Sequence, residues 1–233
     1  MSNLESLKKE LKSLSDPIRA TNLLRFFKTG PGEYGEGDVF LGITVPMQRV
    51  VVKKYRDLPL EEVLELLHSK IHDYRAVALL IMVEQFRRGK ELEREKIYNA
   101  YLANTEWVNN WDLVDVTCHK IVGEYLVDKD RSILYKLAVS KNLWERRIAI
   151  ISTATFIRND DFYDILKIAE ILVNDKHDLI QKAVGWMLRE VGKRDKMVEE
   201  IFLRKYYRTM PRIMLRYAIE RFGEEERLFY LNK

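Results

Sequence analysis

A chain of 233 residues is long enough to bury a sizeable core, and 47% hydrophobic with 33% charged residues describes a soluble globular protein, not a disordered one. No run approaches the roughly 18 apolar residues of a membrane span, and the opening MSNLESLKKELKSL alternates charge with Leu instead of forming a signal sequence, so a cytoplasmic protein is expected. A net charge of +4 excludes a blanket polycation, and the single cysteine, Cys118, excludes an internal disulfide and a thiolate cluster for zinc.

Leu4, Leu7, Leu11 and Leu14 fall on one side of a first amphipathic helix over residues 4–14, and Asp16-Pro17 opens a second that runs to about Lys28. The segment from Gly30 to Asp38 gathers Gly30, Pro31, Gly32, Gly35 and Gly37 and must be a loop. It is no phosphate cradle: the Lys-Ser/Thr ending is absent, and Glu33, Glu36 and Asp38 would repel phosphate. Phe40-Leu41-Gly42-Ile43-Thr44-Val45-Pro46 then leads into a helix from about Met47. Apolar residues recur at three- and four-residue steps in 60–68, 74–88, 95–103, 111–127, 131–139, 144–157, 162–173, 178–191, 195–207 and 211–222, and no stretch keeps the alternation of a half-buried strand.

These helices repeat. Aligning Tyr74–Ala78, Trp111–Asp115, Glu145–Ala149, Leu179–Ala183 and Met214–Ala218 puts the closing residues 34 to 37 positions apart, the period of an α-solenoid built from short helix pairs. The expected architecture is all-α: a single domain over 1–233 of about six HEAT-like antiparallel helix pairs, with N-terminal helices in 1–29, a loop over 30–39 and repeats over 40–233. Four of the five closing positions are Ala, which lets helices approach closely, and the exception is Asp115. Trp111 lies one turn before it on the same face of an otherwise apolar segment, and a half-buried carboxylate must find a partner or a task.

The inner segments also carry Arg75, Arg146, Arg147, Lys182, Arg189, Arg212 and Arg216, and from Ile180 to Lys233 there are 13 Lys and Arg against 8 Asp and Glu. Singly these are solvated charges; together on a concave face they make a basic groove suited to duplex nucleic acid. Lys182, Arg189, Arg212 and Arg216 are the nucleic-acid-binding candidates, joined by Thr44 ahead of the Pro46 helix. His68 and His72 are four apart, but with Lys70 between them and no third ligand nearby, neither a metal nor a cofactor is expected. Cys118 and His119 are adjacent and point about 100° apart on a helix, which excludes a nucleophilic pair. Lys141 and Lys176 lie in loops, and nothing supports a desolvated Schiff-base lysine.

Four stretches in order resemble the AlkD-type DNA alkylation repair enzymes, DNA glycosylases built from HEAT-like repeats: Phe40-Leu41-Gly42-Ile43 with Pro46, Trp111-Asp112-Leu113-Val114-Asp115, Trp144-Glu145-Arg146-Arg147 with Ala149, and Ile180 through Glu190. The resemblance implies that Asp115 is the catalytic carboxylate, that Trp111 and Trp186 are aromatic walls beside the lesion, and that Arg147, two residues before Ala149, is the cleft arginine near phosphate. Asn110 departs from relatives that have a second tryptophan there, which bears on the shape of the cleft wall. The implied activity is monofunctional excision of N3- or N7-alkylated purines from duplex DNA, leaving an abasic site for base excision repair, by a monomer and without full base flipping. The rival reading is a helical-repeat module that binds DNA structure without catalysis; a solenoid taking an acidic peptide is a further one.

Overall fold

Local chemistry sets where the helices begin and end. The computed structural model describes residues 3–232; among them the chain is helical, with one isolated parallel bridge between Val39 and Ile71 and no strand. Most helix connections are short, so successive helices form hairpins, the building pattern of HEAT-like repeats, a long exception being residues 27–44 between α2 and α3. The chain divides after Thr117 into two compact units. No helix among the described residues is long and apolar enough to cross a membrane.

The first unit holds α1 (Asn3–Ser13), α2 (Pro17–Phe26), α3 (Val45–Tyr55), α4 (Leu60–Leu67), α5 (His72–Arg88), α6 (Glu91–Ala103) and the short α7 (Trp111–Asp115). Asp16 starts α2 by accepting the Arg19 amide at 3.0 Å, with Pro17 in the first turn, as the sequence predicts. The helix stops at Phe26, two residues short of the expected end, because Phe27 turns inward to stack on Phe40 and Lys28 takes a left-handed φ of 50°. In the loop that follows, Glu33 and Glu36 accept the backbone amides of Gly30 and Gly32 at 2.8 and 2.9 Å. The acidic side chains thus close the loop on itself.

Helix α5 is the spine of this unit and packs against α3, α4, α6 and α7. It is buried nearly all round, charged residues included. Asp73 accepts the Leu41 and Ile43 amides at 2.7 and 3.0 Å, and Arg75 pairs with Asp38 at 2.6 Å and donates to the Ser69 carbonyl. Both tie the segment before α3 to the spine. Gly42 sits between them at φ 81°, where a Cβ would lie 2.4 Å from the Asp16 carbonyl oxygen, so the start of α2 rests directly on its backbone. Arg75, 1% exposed, belongs to the core and offers nothing to a basic surface.

The expected long helix over 111–127 is interrupted. The α7 helix ends at Asp115, Thr117 turns back to donate its hydroxyl to the Leu113 carbonyl, and a π-helical turn covers His119–Gly123. The second unit continues with α8 (Ser132–Ala138), α9 (Leu143–Ser152), α10 (Ala154–Arg158), α11 (Tyr163–Leu172), α12 (Asp178–Arg194), α13 (Lys196–Tyr206), α14 (Arg212–Ala218) and α15 (Glu224–Leu231). Its spine is α12, against which α9, α10, α11, α13 and α14 all pack.

The alanines of the repeat, Ala78, Ala149, Ala183 and Ala218, are all buried, whereas Asp115 is only half-buried. Close approach at such small residues reaches its limit at Gly185, where a Cβ would fall 2.4 Å from the Met214 carbonyl oxygen and 2.6 Å from Tyr217 Cβ. Against the same spine, Glu199 of α13 lies buried beside the Gly192 backbone with Oε1 lacking a hydrogen-bond partner. Burial pushes its carboxyl up to about 8.

Candidate active site

Helix α7 carries two of the sequence-predicted site residues. Asn110 starts it, its side-chain oxygen accepting the Trp111 amide at 2.8 Å. Asn110 is wholly buried, and its Nδ2 reaches toward Asp38 Oδ2 at 3.5 Å, so this residue is a helix cap tied to the Asp38–Arg75 pair and forms no part of a cleft wall. Trp111 and Asp115 follow at the two ends of one five-residue helix, four positions apart on one face, each half-buried.

A set of rings holds Trp111. Its centroid is 5.3 Å from Phe27, and Phe27 stacks on Phe40 at 5.2 Å, while His72 stacks on Phe40 at 4.6 Å. His72 Nε2–H donates to Asp112 Oδ1 at 3.0 Å, which returns the chain of contacts to α7. Phe26, 60% exposed at the end of α2, meets the Trp111 ring edge-on at 5.8 Å. The sequence reading missed Phe26, Phe27 and the His72–Asp112 contact, all of which join positions far apart in the chain. It weighed His72 with His68, but the two rings serve different partners, since His68 bonds Asn104 at 2.6 Å.

In the second unit, Asn142 caps α9 by accepting the Trp144 amide at 2.9 Å. Arg147, one turn into the helix, is 5% exposed and donates through Nη1 to the Leu179 carbonyl at the first turn of α12. The neighbouring Arg146 turns elsewhere, to Asp175 at 2.7 Å. Trp186, following Gly185, is half-buried and lines an open cleft of about 310 Å³ together with His119, Ile151, Ile157, Glu190 and Lys193. Its indole therefore faces a cleft, not the interior.

The five candidate binding residues stand in different states. Lys182 pairs with Asp178 at 2.8 Å, and Arg189 is ion-paired with Glu220. Arg212 donates to the Leu231 carbonyl at 2.7 Å, and Arg216 is exposed. Thr44 stands at the N-cap of α3 without a side-chain cap bond.

The fold is thus of the all-helical class made of HEAT-like hairpins, with a half-buried carboxylate and indole on one short helix and a second indole, Trp186, lining an open cleft. The family of DNA alkylation repair enzymes matches residues 7–222, and the chain belongs to that family. A solved structure described as a predicted DNA alkylation repair enzyme from Enterococcus faecalis superposes with a TM-score of 0.69 at 18% sequence identity, covering 90% of this chain and 97% of that one. No curated protein matches the sequence.

Proposed function

We propose that this DNA alkylation repair protein is a monofunctional glycosylase that hydrolyses the N-glycosidic bond of positively charged N3- or N7-alkylated purines in duplex DNA. The observation that carries the reading is the placement of Asp115 and Trp111 on one face of α7, both half-buried, in a chain of this family. Alkylation makes the purine a cation, so the base departs neutral and needs no general acid. A single carboxylate then suffices where ordinary sugar hydrolysis uses two. As the bond stretches, the deoxyribose becomes oxocarbenium-like, and the anion of Asp115 stabilises it while directing a water to the same side.

Trp111 and Trp186 are assigned the aromatic walls. An indole face attracts an electron-poor sugar or cationic base by about 0.5 to 2 kcal/mol, and it reads charge instead of base edges. Arg147, 5% exposed, is assigned the phosphate beside the lesion, a contact that positions the duplex without reading its sequence. Lys182, Arg189, Arg212, Arg216 and Thr44 are assigned phosphates further along the duplex. For Lys182 and Arg189 this means exchanging Asp178 and Glu220 for DNA, which replaces one anion by another. In this reading the protein acts as a monomer, and the lesion is engaged through its backbone without full extrusion.

The test is incubation with duplex containing N7-methylguanine, followed by detection of abasic sites. The parent protein should excise the base, and Asp115→Asn should lower the single-turnover rate by about 10²- to 10³-fold, the cost typical of losing one electrostatic contact to a transition state. Tight DNA binding without excision by the parent would instead mark a non-catalytic module.

A further inference from the structure

We propose that Glu190 is a positioning residue that holds the Trp186 indole in its cleft-facing orientation; the inference rests on the reading of Trp186 as a wall beside the lesion. A half-buried tryptophan on a helix surface has several staggered orientations open to it, and only some present its face to the cleft. Here the choice is made by a hydrogen bond. Trp186 Nε1–H donates to Glu190 Oε1 at 3.0 Å, one turn further along α12. A carboxylate oxygen makes a stronger acceptor than a neutral one.

Glu190 is itself held. Lys193 Nζ lies 2.7 and 2.9 Å from its two oxygens, and Arg189 Nη2 stands 3.6 Å from Oε1. Trp186, Glu190 and Lys193 therefore form a ladder up one side of α12, and all three line the same cleft. At the other end, the contact of Gly185 with α14 fixes the backbone from which the indole projects. The indole is thus fixed at its root by backbone packing and at its far edge by a carboxylate. Neither contact touches the reacting atoms.

The protein has four tryptophans, so nitrogen-15 labelling of the indoles gives a short set of N–H signals from the full chain, with Trp186 identified by its loss in Trp186→Phe. Glu190→Ala should move the Trp186 signal toward that of a solvent-bonded indole, while Glu190→Gln, which keeps an oxygen acceptor, should leave it near the parent position. In single-turnover excision of N7-methylguanine, Glu190→Ala should be slower by about tenfold with DNA affinity within about twofold, as expected when a wall is misplaced but binding is not lost. Glu190→Gln should recover most of that rate. An unmoved indole signal in Glu190→Ala, or equal slowing by Ala and Gln, would overturn the proposal. If the parent excises nothing, the glycosylase reading has failed, and the indole signal alone still decides whether Glu190 holds Trp186.

Discussion

At the scale of single residues, the candidate site owes more to unshared polar contacts than to the residues that would meet DNA. Asp112 sits between Trp111 and the apolar Leu113, and its carboxylate takes the His72 proton donor and the Leu113 amide at 3.0 and 2.9 Å. Removing the ring deletes one of the two hydrogen bonds to Asp112 Oδ1, leaving only the Leu113 amide, and opens a gap under Phe27 and Phe40. His72→Ala should therefore destabilise the protein by about 2 to 4 kcal/mol, combining the lost hydrogen bond and the cavity, measured by urea unfolding. Asp112→Asn keeps an oxygen for the same donor and should cost less than half as much in that assay. A His72→Ala protein as stable as the parent would mean that the rings, without the hydrogen bond, secure α7.

At the scale of elements, a tight constraint is the crossing of α12 and α14 at Gly185. A methyl group there meets a backbone carbonyl at 2.4 Å, and a carbonyl cannot swing aside as a side chain does. Gly185→Ala should cost about 1 to 3 kcal/mol of stability despite the better helix propensity of alanine, with thermal melting as the measurement. Much at this scale was legible in the sequence: the start of α2 at Asp16-Pro17, the apolar stripes, and the alanines that mark the repeat. The break after Asp115 was not, because Val116 and Thr117 continue the helical pattern, and the turn there, where the Thr117 amide bonds Val114 and its hydroxyl bonds Leu113, leaves no mark in the sequence. The extra helix α15 also went unread, since its first turn of Glu224, Glu225 and Glu226 shows no apolar period. Asn110 appeared as a departure in a cleft wall because a buried cap and a missing tryptophan look alike without coordinates. The Trp186–Glu190 contact was visible as spacing, and the motif containing both was read without using it.

At the scale of the whole molecule, Glu199 ties stability to pH. Its carboxyl ionises near 4.5 in an unfolded chain and at about 8 in the folded one. Between those values the folded protein retains a proton that the unfolded chain has released, so stability is greatest at the acid end and falls by about 1.4 kcal/mol per pH unit up to about 8, then levels off. Glu199→Gln should remove that component of the slope in urea midpoints taken across the same range. An unchanged profile would mean that the carboxyl ionises without hindrance. Connectivity matters as much as charge at this scale. Asp38 closes the glycine-rich loop and at the same time neutralises Arg75 and stands beside the amide of Asn110, from which α7 begins. A protease that severed the backbone within residues 30–37 would leave every proposed catalytic side chain intact. Asp38 would then be anchored only on its Val39 side, weakening its hold on Arg75 and on the first turn beneath Trp111, so that damage to an outlying loop would be felt as loss of repair.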